Sequence, residues 1–229
     1  TISSRFAAQV SRDPLGSTTM HTFFQYYYRT PWRPTQTFSE LLTDPRRLRF
    51  GWYAILINMF LYTWVYINLT IGGGAPSSFT PWLAIPKESY YFYDQFLLAP
   101  SMFICWISSA GLIQLASKPF GGSGTFEDTL SALGFSIGIA SLASLVHDFP
   151  DTLLGALGWL DLRAYEVMLN SPTIWRTVLW TCYGASFVLF VVLFSKAVRI
   201  VQRIPPIPAV LVGVLGFVTY QTLFLVFNR

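Results

Sequence analysis

Five stretches of the chain, at 50–71, 95–117, 130–146, 174–198 and 208–227, are strongly apolar and bounded by polar segments. Crossing the hydrocarbon core of a bilayer takes about 20 apolar residues as a helix. A backbone in lipid must also satisfy its own hydrogen bonds, which restricts such a chain to helices packed on helices. Composition agrees, with 53% hydrophobic and only 11% charged residues, where a soluble domain carries roughly 25% charged. The expected class is an all-α integral membrane protein, a bundle of about five transmembrane helices behind an aromatic and basic cytoplasmic tail. Residues 1–49 form the interfacial tail and 50–229 the transmembrane domain.

The third stretch is the shortest. It either ends near Val146 or continues as a broken helix through 153–160, beyond Asp148-Phe149-Pro150-Asp151. Small residues cover most of its surface, among them Ser131, Gly134, Ser136, Gly138 and Ala140. Gly134 and Gly138 form a GxxxG pair, which lets helix backbones approach closely. A helix small on nearly every face belongs at the centre of a bundle, with dimerisation through it as the alternative.

Lysine and arginine mark the cytoplasmic loops. One side collects Arg5, Arg12, Arg29, Arg33, Arg46, Arg47, Arg49, Lys118, Lys196, Arg199 and Arg203. The other has Lys87, Arg163, Arg176 and Arg229 among the acids Glu88, Asp94, Asp148, Asp151, Asp161 and Glu166. Five spans with the N-terminus in the cytoplasm and the C-terminus opposite satisfy this asymmetry. In a prokaryote the membrane is then the plasma (inner) membrane. Arg46, Arg47 and Arg49, just before the first span, are the expected contacts to anionic lipid headgroups. The aromatic tail segment 23–34 and the cluster Tyr90, Tyr91, Phe92 and Tyr93 read as interfacial anchors. Thr37 or Ser39 is expected to cap a short helix that stops near Asp44-Pro45.

The polar turn between the second and third spans holds Gly121-Gly122-Ser123-Gly124, a pattern resembling that around the serine of rhomboid-type intramembrane proteases. A serine nucleophile needs a base within hydrogen-bond reach. The histidines are His21 in the tail and His147, at least one span's length from Ser123 along a continuous helix. The run reads as a turn instead, and it is not a P-loop, because no Gly-Lys-Ser/Thr follows. Haem carriage would need paired histidines in the spans, and Glu127 and Asp128 have no histidine or cysteine nearby to complete a metal site. No cofactor, no metal, no enzymatic activity and no nucleic-acid partner are expected. Cys105 and Cys182 read as small buried hydrophobes. Transporters leave ionisable groups inside their spans, whereas the span interiors here hold the amides Asn58, Gln114 and Gln221, read as interhelical or interfacial hydrogen-bonding groups. Gly121, Gly122 and Gly124 form the turn, and Phe126, Glu127 and Asp128 are its candidates for contact with a partner.

Two segments carry a family resemblance. Trp32-Arg33-Pro34-Thr35-Gln36-Thr37-Phe38-Ser39-Glu40-Leu41-Leu42-Thr43-Asp44-Pro45 is similar to a "P-x-x-x-F-x-x-L-x-x-D-P" type of segment. Phe120-Gly121-Gly122-Ser123-Gly124-Thr125-Phe126-Glu127-Asp128-Thr129-Leu130 is similar to a "GG-x-GSF-x-x-TL" turn leading into a third span. Both resemble prokaryotic members of the Ypt-interacting-protein (YIP) family. Leu133-Gly134-Phe135-Ser136 stands where that family often has Leu-Gly-Tyr-Ser, with Phe135 in place of tyrosine and no proline after it. The resemblance implies a non-enzymatic five-span protein with a cytoplasmic N-terminus and no cofactor; eukaryotic relatives are linked to small GTPases and vesicle traffic. The expected role is a scaffold or membrane-organising factor. An accessory subunit of a larger respiratory or photosynthetic membrane complex is the alternative, and a transporter-like protein the third. Its partners are expected to be the bilayer and other membrane subunits.

Overall fold

The structure is a computed structural model that describes residues 17–76 and 85–228. Arg5, Arg12 and Arg229 lie outside the described residues. Eight α-helices follow one another: α1 (Ser17–Arg29), α2 (Pro34–Thr43), α3 (Arg47–Ile71), α4 (Tyr90–Ser117), α5 (Phe126–Ala156), α6 (Leu162–Leu169), α7 (Ile174–Gln202) and α8 (Pro206–Asn228), with no strand among the described residues. Of these α3, α4, α5, α7 and α8 are long and apolar enough to cross a membrane.

The third of the five differs from expectation. It is neither short nor broken: α5 runs unbroken through Pro150 for 31 residues. A proline removes one hydrogen bond and crowds the preceding turn. Here that turn is Val146 to Phe149, and Thr152 folds its hydroxyl back onto the Asp148 carbonyl at 2.7 Å. The helix starts where Thr125 accepts from the Asp128 amide, with Glu127 and Asp128 in its first turn, where carboxylates complement the helix dipole. It occupies the centre of the bundle: 78% of its apolar stretch is buried, against 22% for α7 and 28% for α8.

α3 runs parallel to α5, and a ladder of small contacts fixes their register. A Cβ on Gly134 would sit 2.4 Å from the Gly51 carbonyl oxygen, and one on Gly138 2.9 Å from that of Ala54. Further along, Asn58 Nδ2 donates to Ser141 Oγ at 3.2 Å, and the Tyr62 hydroxyl meets Ser144 Oγ at 2.6 Å. Ser131 and Ser136, both buried, return their hydroxyls to carbonyls one turn back, so they fill space without leaving a polar group unsatisfied. Against the opposite side of α5, antiparallel α7 donates from Ser186 Oγ to the Ala140 carbonyl at 2.8 Å. α4 and α8 close the bundle, with Gly216 of α8 against Ile113 of α4 and Phe190, Phe194, Phe217 and Tyr220 interleaved between α7 and α8.

The tail joins this core. Phe23 and Tyr27 of α1 are buried against Phe50 and Phe135, and the Tyr27 hydroxyl donates to the Gly138 carbonyl at 3.2 Å. The anchor reading of this segment is therefore corrected for that face; Phe24, Tyr28 and Trp32 of the segment remain exposed. α2 starts with Pro34 in its first turn and Arg33 at its N-cap, and stops at Asp44. The expected cap at Thr37 or Ser39 is wrong because proline already supplies a helical φ and lacks the amide a cap would satisfy. Thr37 is instead fully buried mid-helix.

Candidate functional site

The polar turn at the basic end is docked rather than loose. Gly121 takes φ 81°, a conformation glycine reaches without strain. Gly124 presses so closely on α7 that a Cβ would lie 2.5 Å from the Val201 carbonyl. A buried amide knot fixes the turn: Gln114 Nε2 donates to the Gly124 carbonyl at 2.7 Å, and Gln202 Nε2 donates to Gln114 Oε1 at 2.8 Å and to Thr129 Oγ1 at 2.9 Å. The Ser123 amide donates to the Gln202 carbonyl. Gly122 abuts Ser117. Ser123 precedes the start of α5 and His147 lies near its end, so the two stand at opposite ends of one straight element. Phe126 and Glu127 are exposed, while Asp128 is half-buried and paired with Arg47.

That pairing changes the reading of the arginines. Arg47 is engaged by Asp128, and Arg46 by Asp44 at 3.0 Å, with its guanidinium over the Phe50 ring. Arg49 is exposed. Outside the long helices, Arg29 and Glu40 form a bidentate pair that ties α1 to α2. The hydrogen bonds from Arg29, then from Gln36, hold the Glu40 carboxyl below its usual range. Burial opposes ionisation of Asp44, but the side-chain and backbone hydrogen bonds of Arg46 outweigh it and also hold that carboxyl low.

The other end of the bundle holds a chamber of about 440 Å³ between α3, α4, α5, α6, α7 and α8. Its central polar group comes from the last turns of α5. His147, Asp148 and Asp151 sit at i, i+1 and i+4, and the i, i+4 pair shares one helix face. His147 Nδ1 lies 3.1 Å from Asp148 Oδ1, and Nε2 lies 3.2 Å from Asp151 Oδ2. The Tyr165 hydroxyl, brought in by α6, donates to Asp151 Oδ2 at 2.8 Å and stands 3.3 Å from His147 Nε2. The Tyr183 hydroxyl of α7 donates to Asp148 Oδ2 at 3.0 Å. Burial, with the neighbouring Asp151 carboxylate, pushes the Tyr165 phenol well above its ordinary value, so this ring stays a donor. Gln221 of α8 lines the same space, whereas Asn58 and Gln114 are tied between helices.

The expectation that the long helices carry no buried charge is overturned. α4 begins at Tyr90, earlier than the stretch from 95, so Asp94 lies inside it and is fully buried. Neither of its carboxylate oxygens finds a hydrogen bond among the described residues. Its electrostatic neighbour Tyr66 donates to the Asn228 carbonyl at 3.2 Å. Tyr90 and Tyr91 turn inward to line the chamber, and only Phe92 and Tyr93 of that aromatic cluster are exposed.

The chain matches no family model, no curated protein and no solved structure. Its chemistry rests on the residues themselves. Among the described residues, no group of three histidine, cysteine or acidic side chains is arranged to hold a metal ion. Cys105 is buried and Cys182 half-buried, both as free thiols. The chamber end brings together a protonatable imidazole, two carboxylates and two phenols, with Glu166 and Arg176 also in a mostly apolar wall. Concave, mostly apolar spaces with a few convergent polar groups are the usual form of small-molecule sites. The cluster was readable as the spacing 147, 148, 151; assuming a helix break at Pro150 hid it.

Proposed function

We propose that this chain is a five-span membrane protein that binds a small molecule in the chamber at the acidic end of its helices. The observation that carries the reading is the His147–Asp148–Asp151 group, aimed into a preformed space and held by tyrosines from two further helices. Ionisable groups inside membrane helices are costly and are retained where they serve a function. This raises a ligand-handling role above the scaffold role that the amide-only reading of the spans favoured. The basic end faces the cytoplasm, following the excess of arginine and lysine there.

Mass spectrometry of the purified protein, released from detergent, tests the reading. The wild type is expected to retain about one small molecule per chain. Gln221→Trp, which places an indole in the chamber, is expected to lose it. Equal retention by both proteins would assign the bound material to the outer surface and overturn the reading. Sidedness is tested with an impermeant thiol reagent on Ser123→Cys and Arg163→Cys in intact cells: only the latter is expected to label.

A second reading rests on a separate observation. Tyr28 and Trp32 stand 70% and 84% exposed, where α1 leads into the 32–45 segment whose sequence resembles the YIP family. They support a scaffold or accessory-subunit role in which this face docks another membrane protein. Blue-native electrophoresis of gently solubilised membranes checks it: a stoichiometric heavy partner, lost in Trp32→Ser, is expected.

A further inference from the structure

Among the described residues, three carboxylates line the chamber, from Asp148, Asp151 and Glu166, with one guanidinium, Arg176, and one imidazole, His147. The described lining is therefore net negative whichever form His147 takes. Its apolar wall is largely aromatic, with Tyr62, Tyr66, Tyr91, Trp180 and Phe190 among the rings that border the space. Aromatic faces carry negative quadrupole potential and attract cations, most strongly where water is excluded. Asp148 and Asp151 each accept from one tyrosine, and each has one imidazole nitrogen of His147 within 3.2 Å. A carboxylate offers about four acceptor positions, so each keeps capacity on its second side. Arg176, the one permanent cation of the lining among the described residues, gives its Nη1 to the Asn170 carbonyl at 3.2 Å, and no ion pair among those residues joins it to Asp148 or Asp151. A neutral or anionic ligand would leave this excess negative charge uncompensated in a low-dielectric space, at large cost.

We propose that the chamber selects a molecule bearing an ammonium group, primary or quaternary, seated against Asp148 and Asp151 and enclosed by aromatic rings. This rests on the chamber being a binding site at all. Two sources share that chemistry, an amine-headed phospholipid and a free organic cation, and the experiment separates them.

Full-length protein is placed in nanodiscs of equal parts phosphatidylethanolamine, phosphatidylcholine and phosphatidylglycerol, and retained lipid is counted by native mass spectrometry. In parallel, choline and tetraethylammonium are titrated while thermal unfolding is followed. For a lipid ligand, the two amine-headed lipids together are expected to be enriched about tenfold over phosphatidylglycerol, and Asp148→Asn/Asp151→Asn loses the enrichment. For a free cation, the soluble ammonium ions raise the unfolding temperature of the wild type and not of that variant. Either pattern supports the proposal. Should the double variant not fold, Trp180→Leu replaces it, with the same losses expected. Retention of phosphatidylglycerol equal to the other lipids, abolished by Gln221→Trp, would overturn the ammonium assignment and leave the chamber a binding site. No retained lipid and no thermal shift in the wild type would overturn both.

Discussion

At single residues, the closest approaches set the largest expected effects. Gly134 leaves no room for a methyl group, because the contact is backbone on the facing helix and cannot swing away. Gly134→Ala is expected to lower stability by about 1–3 kcal/mol, read as unfolding temperature in detergent. Gly111 on α4 meets nothing within 4 Å of an added Cβ, so Gly111→Ala is expected to be neutral or to stabilise by about 0.5–1 kcal/mol. Asp94 makes the opposite case. A buried carboxyl without a hydrogen bond costs more than a neutral amide of the same shape, so Asp94→Asn is expected to raise the unfolding temperature. A fall would show that the acid holds a partner the folded chain needs. None of these three positions was legible at this precision. Gly134 announced itself through its GxxxG spacing, but its partner Gly51 did not, because one glycine in a long apolar run carries no pattern.

Among elements, the first two helices show how local polarity misleads. A segment of aromatics and arginines before a span looks suited to headgroups, yet α1 spends Phe23 and Tyr27 on the core and pairs Arg29 with Glu40. What the sequence could not say was that α5 is small enough on its near side to admit a tyrosine down to the Gly138 carbonyl. The carboxylates that tie α1, α2 and the start of α3 have folded pKa values below their unfolded ones. Their contribution is therefore complete above the unfolded value, about 4, and is lost as pH falls through the lower folded values. Glu40→Gln/Asp44→Asn is expected to lose less unfolding temperature than the wild type on acidification from about pH 6 to about pH 3. Because Arg29 and Glu40 are each more than a third exposed, the effect from that pair is expected to be small. The knot of Gln114, Thr129 and Gln202 is more costly to break. Gln202→Leu removes the two hydrogen bonds that its buried Nε2 gives to Gln114 Oε1 and Thr129 Oγ1 and is expected to cost about 1–3 kcal/mol, visible as faster proteolysis in the 118–125 turn.

For the whole molecule, five long helices, their order and the central position of the third were legible, since hydropathy and small-residue coverage report directly on who faces lipid and who faces protein. The chamber was not. Its residues come from α3, α4, α5, α6, α7 and α8, and α6 lies in a stretch too short and polar to signal a role. Even so, α6 delivers Tyr165 to the acidic pair, where Asp161 caps it through the Ala164 amide. Helix order also has a consequence for how the protein is made. The tightest seam joins two parallel helices, and parallel neighbours cannot be adjacent in sequence. Asn58 waits 83 residues for Ser141, so all of α4 is made before α5 can arrive. At a synthesis rate of about 5–20 residues per second, the face of α3 that carries Gly51, Ala54 and Asn58 spends roughly 4–17 s without its mate. That interval is when an insertion factor or chaperone has its opportunity to occupy the face.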